Sequence, residues 1–423
     1  MGTGRRIASN FVWASASELI GKGTFVAVNI YIARVLGAGS FGLYSLAQAV
    51  TSSLWLVVDL GVNVYGIREI AKNREHAESV INPLLTMRVT IGVAAFAIYA
   101  LVLLLSPISS SERLAFLASA LFILTYSFYT DWVAKGFEEF KYLVFGILLS
   151  SIAFASGVIL LVRKPADLLA AVLVWSLSYL VGSISLLFIL SRRLKVHFRP
   201  SFHIRTWRMH IRECKHFMFS GVLLVLYENC PLYLLGYFAT KELVGLFSAP
   251  SRIIVTINNA GFLITAAFYP ALSQAFKGDI VKFRQLRKNL GRIMVAISLP
   301  AAIVGTLFAH DITLWVLGPQ YMQSQTVLAA LIWLVPLRYG RASFGSALLA
   351  SGFQRSHNVA SLTGLLSFLG LGFALIPARP LVGASLALLA AESLLLAAMM
   401  GAYWYSVGRH YKAYPLKQVV SHD

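Results

Sequence analysis

Five ionisable residues stand inside apolar stretches of this chain: Glu18, Lys22, Asp59, Glu228 and Arg252. A charge held at the centre of a bilayer is expensive, so such groups face a wet cavity, pair with one another, or handle a charged cargo. In the first stretch Ser15, Glu18, Lys22, Phe25 and Asn29 recur every three or four residues and share one helical stripe. Glu18 precedes Lys22 by four, the order in which such a pair attracts best. In the second, Ser45, Gln48, Ser52, Trp55 and Asp59 share a face. Asp59 suits pairing with a Lys or Arg, or binding a coupling proton or sodium ion. Further on, Ser248, Arg252, Thr256 and Asn259 repeat the spacing, with Pro250 expected to break the helix and release backbone groups. Arg252 suits a phosphate, because guanidinium is always charged and matches phosphate geometry. Glu228 and Asn229 beside Pro231 add a second intramembrane acid. The alternative for Glu18 and Lys22 is an internal ion pair that only tightens packing, for Asp59 a buried acid satisfied by neighbouring donors, and for Arg252 a helix-end arginine reaching for headgroups.

A separate set, Arg338 and Arg341 with Glu392, lies near Pro336 and Gly340, a combination that predicts an irregular helix. Pairing of the arginines with Glu392 is the favoured reading, and a secondary cationic surface the other. Arg68 and Arg88 flank the first short polar loop and read as entrance or orientation charges.

Elements that can position these residues follow from composition. The chain has 423 residues, of which 58% are hydrophobic and 13% charged, whereas soluble domains carry about 25% charged residues. Apolar runs long enough to cross a bilayer recur throughout. Twelve spans are predicted, at 10–34, 41–66, 84–106, 114–134, 142–162, 167–190, 216–238, 244–276, 291–317, 324–350, 357–377 and 381–407. The predicted organisation is a six-helix lobe over 1–195, a basic loop over 196–215, a second six-helix lobe over 216–408 and a tail over 409–423. Arg5 and Arg6 precede a first apolar stretch that holds charges and runs too long for a signal peptide, so it reads as an uncleaved span.

The net charge of +19 could indicate nucleic acid, but its distribution argues against that partner. Most Lys and Arg fall in alternate connections, eight of them between Ser191 and Lys215 and six between Lys277 and Arg292. By the positive-inside rule this places those loops and both termini in the cytoplasm. Cys214 and Cys230 form neither a disulfide framework nor a metal pattern. The nine His lack metal spacing, and no phosphate-cradling glycine loop is present. No enzyme signature and no cofactor motif is found.

The two halves echo one another. Val35–Ser45 (VLGAGSFGLYS) aligns with Phe238–Ser248 (FATKELVGLFS), both ending Gly-Leu-aromatic-Ser, and Gly136-Phe137-Glu138-Glu139 aligns with Gly352-Phe353-Gln354-Arg355. Six spans per half make such repeats parallel, related by an axis along the membrane normal.

Gly21-Lys22, Ala33-Arg34-Val35-Leu36-Gly37, Phe41-Gly42-Leu43-Tyr44-Ser45, Asp59-Leu60-Gly61 and Arg68-Glu69-Ile70-Ala71 occur in order within the first seventy-odd residues. This run resembles the N-terminal signature of the polysaccharide-transporter branch of the multidrug/oligosaccharidyl-lipid/polysaccharide flippase superfamily. Lys135-Gly136-Phe137-Glu138-Glu139-Phe140-Lys141-Tyr142 resembles that family's connection between spans four and five. The likeness is strong in the first half and looser in the second. It implies an all-α, V-shaped, two-lobed transporter with alternating access and a cavity lined by spans one, two, seven and eight.

The resemblance further implies that the cargo is a polyprenyl-diphosphate-linked oligosaccharide, flipped from the cytoplasmic to the outer leaflet of a prokaryotic plasma membrane. On that reading Lys22 and Arg252 hold the diphosphate, and Asn29, Gln48, Trp55, Tyr227 and Asn259 contact sugars. Glu18, Asp59 or Glu228 reset the carrier with a proton or cation. The partners are then the lipid-linked oligosaccharide, membrane lipids and other polysaccharide-assembly proteins, with the chain a monomer. The alternatives are a cation-coupled multidrug exporter of the same superfamily and a non-transporting scaffold of glycan assembly.

Overall fold

Gly37 divides the first long apolar stretch. In the computed structural model that stretch, Leu19–Lys72, has 54 residues, roughly 80 Å of helix against roughly 30 Å of hydrocarbon. The backbone leaves the helical region at Gly37 (φ 74°, ψ 170°), a conformation that glycine alone adopts cheaply, so the stretch holds two spans. Eleven stretches among the described residues are long and apolar enough to cross a membrane; with the first counted twice, the predicted twelve are present. No strand occurs among the described residues, and the protein is an all-α, multi-pass membrane protein. The structure describes residues 3–413, excluding the side chains of 3–11, 14, 15, 18, 215–220, 224 and 410–413.

Two compact units divide the chain, residues 1–249 and 250–423. The first contains α1 (Thr3–Asp59), α2 (Val62–Lys72), α3 (Glu78–Leu105), α4 (Ser110–Ser127), α5 (Asp131–Gly136), α6 (Phe140–Leu161), α7 (Leu168–Arg193) and α8 (Ile204–Phe238). It also takes the start of α9 (Lys241–Gly278). In lipid there is little hydrophobic drive between helices, so polar contacts and small residues hold them. Helices α4 and α7 show this directly. Thr125 donates to the Ser176 carbonyl at 2.8 Å, Ser183 to the Thr125 carbonyl at 2.8 Å, and Ser176 to the Ala118 carbonyl at 3.0 Å.

Two spans of this unit are broken near one end. The first break, between α1 and α2, has Leu60 (φ 48°) and Gly61 (φ 84°) in the left-handed region; for Leu60 that costs roughly 1–2 kcal/mol. The second lies between α4 and α5, at Phe128–Thr130. The short segments beyond the breaks pack together, the Trp132 ring lying over Gly66 and Ile70 over Gly136. Around them a core of Tyr65, Ile81, Leu84, Met87, Trp132 and Cys214 is almost fully buried.

The second unit contains the rest of α9, α10 (Ile280–Leu307), α11 (Ala309–Ile312), α12 (Gln325–Leu331), α13 (Leu334–Ala350), α14 (Gln354–Leu375) and α15 (Pro380–Ala413). The irregularity predicted around Pro336 is an interruption at Ile332–Trp333 that precedes α13. It leaves Pro336 in the first turn of α13, where no N–H bond is lost. Pro250, by contrast, breaks nothing. Helix α9 runs through both Pro250 and Pro270, because one missing N–H bond in a long helix is carried by the turns on either side. Helix α8 begins at Ile204, twelve residues before the predicted start of its span, so much of the expected loop is helical.

Candidate functional site

Arg88, read from sequence as a charge at the edge of a loop, is instead fully buried. The breaks in the two spans explain this. Where α4 stops, the regular helical bonding ends, the Tyr126 carbonyl taking a short turn bond from Tyr129 N–H at 2.9 Å, and the Arg88 guanidinium donates to the Tyr126 and Tyr129 carbonyls, at 3.2 and 3.1 Å. Its carbon lies 4.4 Å from the centre of the Trp55 ring and 5.7 Å from that of Tyr126, within cation–π range. Asp59, on the last turn before the first break, approaches Arg88 Nε at 3.8 Å. That is an ion pair rather than a hydrogen bond. Arg88 therefore ties three spans together and is the basic group that stands beside Asp59.

Beyond the second break, Asp131 is 5% exposed and pairs with Lys135 one turn later at 2.6 Å. Both line a cavity of about 390 Å³ inside the first unit, together with Lys22, Tyr126, Tyr129, Trp175, Tyr179 and a group of serines. The aromatic residues pack against one another: Trp175 and Tyr179 stand at 84° with centroids 6.3 Å apart, and Tyr126 stacks on Tyr129 at 4.9 Å. Lys22 and Phe25 of the first-span stripe thus lie on the lining of this cavity within the first unit, whereas Asn29 does not. Glu18 lies outside the described side chains.

Most of the other predicted residues of this unit are buried or half-buried. Asn29 is fully buried and donates to the Phe25 carbonyl at 2.7 Å. Gln48 donates to the Tyr44 hydroxyl at 2.9 Å. Trp55 lies beneath Arg88, and Tyr227 is buried. Glu228 is exposed, while its neighbour Asn229 reaches the Ser53 hydroxyl at 3.4 Å. Sequence reasoning missed Arg88, Asp131, Lys135, Trp175 and Tyr179. The available signal was a run of aromatics, Tyr126, Tyr129 and Trp132, leading into an Asp and a Lys four apart at the end of a span.

In the second unit, Arg252 and Asn259 are half-buried on α9. Glu392 on α15 is fully buried and meets Arg341 Nε at 2.6 Å and Arg338 Nε at 3.4 Å. These three are paired, as favoured from sequence. Arg287 lies nearby over the rings of Phe344 and Tyr403, at 4.6 and 5.1 Å. Among the described residues no group of His, Cys, Asp or Glu is arranged to hold a metal ion.

The arrangement can hold polar or anionic groups at membrane depth, and similar proteins place it in context. A proposed O-antigen transporter of Escherichia coli (strain K12) is 24% identical over 379 residues, covering 88% of this chain and 90% of that relative. An inward-facing multidrug resistance MATE family transporter of the MOP superfamily shares the fold with a TM-score of 0.75 at 13% identity, over 96% of this chain and 99% of its own. The lipid II flippase MurJ, in an inward closed conformation, does so with a TM-score of 0.73 at 12% identity, over 94% and 87%. Residues 7–276 match the family described as Polysaccharide biosynthesis protein. With well over half of its length matched, the chain belongs to the polysaccharide biosynthesis protein family.

Proposed function

We propose that the protein is a flippase that carries a polyprenyl-diphosphate-linked oligosaccharide from the cytoplasmic to the outer leaflet of a prokaryotic plasma membrane by alternating access. The observation that carries this reading is the likeness to the proposed O-antigen transporter along 88% of the chain. Charge supports it. A diphosphate brings about two negative charges to a depth where each costs several kcal/mol unless paired. Lys22 and Arg252 are the cations that meet it during passage, while the polyprenyl tail stays in lipid. With both termini in the cytoplasm and the interior negative, outward movement of two negative charges is favoured by about 4–5 kcal/mol per 100 mV. Asp59, Glu18 and Glu228 are the groups for a returning proton or cation, Asp59 while exchanging with Arg88.

The test is flipping of a fluorescent polyprenyl-diphosphate oligosaccharide in proteoliposomes under an imposed potential. Wild type moves the lipid, and Arg252→Ala, still monodisperse, slows it about tenfold or more, the worth of one charge-assisted contact. Extrusion of cationic dyes with no movement of any glycan lipid would hand the protein to the multidrug reading. Silence in both assays would favour a scaffold of glycan assembly.

A further inference from the structure

We propose that the start of α8, with the strap that leads into it, is a docking surface for the anionic phospholipid headgroups of the leaflet on its own side of the membrane. The charge distribution makes that the cytoplasmic side. The surface is positioned by the chain between α7 and α8. His197 N–H donates to Glu78 Oε1 at 2.9 Å, Arg199 N–H to Asn82 Oδ1 at 3.1 Å and Ser201 N–H to Thr86 Oγ1 at 2.9 Å. Alternate residues of the strap thus meet successive turns of one α3 face, at i, i+4 and i+8. The strap climbs α3 as far as Thr86, and residues 86–105 are the last twenty of that helix, about 30 Å of rise and one hydrocarbon thickness. Ser201 is therefore held at the edge of the hydrocarbon, and α8 starts three residues later, at Ile204. That helix has 35 residues, about 20 Å more than a crossing from this edge requires, so its first turns lie at headgroup depth.

What these turns expose suits an anionic lipid surface. Ile204, Arg208, Ile211 and Arg212 stand at i, i+4, i+7 and i+8, on one helical face, and all four are exposed, Ile204 by 73% and Ile211 by 41%. Phe202, 69% exposed, adds a ring at the end of the strap, and Arg205 a third guanidinium. Another face of the same turns is buried in the first unit through Cys214 and His210, whose Nδ1 lies 3.1 Å from the Tyr65 hydroxyl. Isoleucines that enter the headgroup layer while arginines reach its phosphates are the mark of an interfacial helix. Charge points the same way. Among the described residues, none of Arg205, Arg208 and Arg212 has a carboxylate within 4.0 Å. The helix start calls for an anion too: its first turn holds no acid and His203 supplies no side-chain cap, so the partial positive charge of its N–H groups adds to that of the arginines. An acidic protein segment would match the charge, but at this depth it would have to displace lipid phosphates from the arginines.

The experiment uses the full chain in lipid nanodiscs without any glycan lipid, so its outcome is independent of the flippase reading. Ile211→Cys is labelled with an environment-sensitive nitrobenzoxadiazole; the native Cys214 and Cys230 are buried and stay in place. Quenching by nitroxides carried high on the lipid acyl chains is compared in phosphatidylcholine and in an equal mixture with phosphatidylglycerol. The probe is quenched much more strongly in the mixture, and in phosphatidylcholine alone it stays open to iodide in the water. A probe at Glu75→Cys, exposed in the loop before α3, stays in water in both. Replacing Arg205, Arg208 and Arg212 together by Gln, in protein that remains monodisperse, abolishes the difference between the lipids, since each charge near an anionic surface is worth about fivefold in partition. The proposal is overturned if the Ile211 probe stays in water in the mixture, which would leave the face to an acidic protein partner. It is overturned equally if phosphatidylcholine alone shields the probe as well, or if the triple variant keeps the difference.

Discussion

Gly42 and Gly245 meet as equivalents. A Cβ on Gly42 would lie 1.8 Å from the carbonyl oxygen of Lys241, and one on Gly245 would lie 1.8 Å from that of Ala38. Lys241 precedes Gly245 by four residues, as Ala38 precedes Gly42, so the contact is reciprocal. The two segments are those whose sequences echo, VLGAGSFGLYS and FATKELVGLFS, and their closing Ser45 and Ser248 are both buried. The repeat is therefore a packing device as well as a trace of duplication: each copy supplies the glycine that lets the other's backbone approach.

Alanine at either glycine forces the two helices apart. Gly42→Ala or Gly245→Ala lowers stability by about 1–3 kcal/mol, the usual cost of overpacking. Gly39→Ala, with open space around its Cβ, changes nothing. Thermal unfolding of detergent-purified protein, followed by size-exclusion chromatography, separates the three.

Removing Arg88 takes a donor from two carbonyls and the counter-charge from the Asp59 carboxylate. Arg88→Leu costs about 3–5 kcal/mol, the range for breaking a buried ion pair from one side. Asp59→Leu added to it costs less than the two single changes together, because the second substitution removes the uncompensated charge. A double-mutant cycle on thermal stability reads the coupling, and strict additivity would show that the 3.8 Å pair contributes nothing.

Glu392 is flanked by Arg341 Nε at 2.6 Å and by Arg338 Nε at 3.4 Å. Arg341→Ala and Arg338→Ala each lower stability, and Glu392→Leu, which leaves two arginines facing each other, is worse than either. Heat-induced loss of monodisperse protein gives the order.

His210 precedes the apolar part of α8 and is buried, its Nδ1 3.1 Å from the Tyr65 hydroxyl. Burial holds its imidazole below the ordinary value of 6.5, against a smaller opposing pull from Glu69. The folded protein thus refuses a proton that the unfolded chain accepts. Its contribution to stability is complete above about pH 6.5 and is lost as the pH falls from there towards the folded value. His210→Phe, which keeps the ring packing, flattens that part of the stability–pH curve. A curve unchanged in slope between pH 7 and 5 would show that His210 does not titrate on unfolding.

The sequence by itself determined the membrane class, the spans, the repeat and the family signature. Hydropathy is a local sum over about 20 residues, and the signature motifs are contiguous, so neither needs a partner to be legible. It also put Lys22 and Phe25 on one stripe of the first span, because helical spacing fixes which side chains of one helix share a face. The tertiary structure decided the rest. The break at Phe128–Thr130 contains neither Pro nor Gly, so nothing in the chain announced the helix end whose carbonyls Arg88 meets. Asn29 and Gln48 sit on the predicted stripes but turn to partners within the unit, since a stripe shows which residues share a face and not what that face meets. The cavity joins residues as far apart in the chain as Ser17 and Tyr179. Its aromatic walls exist only once α1, α4, α5, α6 and α7 have packed around one volume.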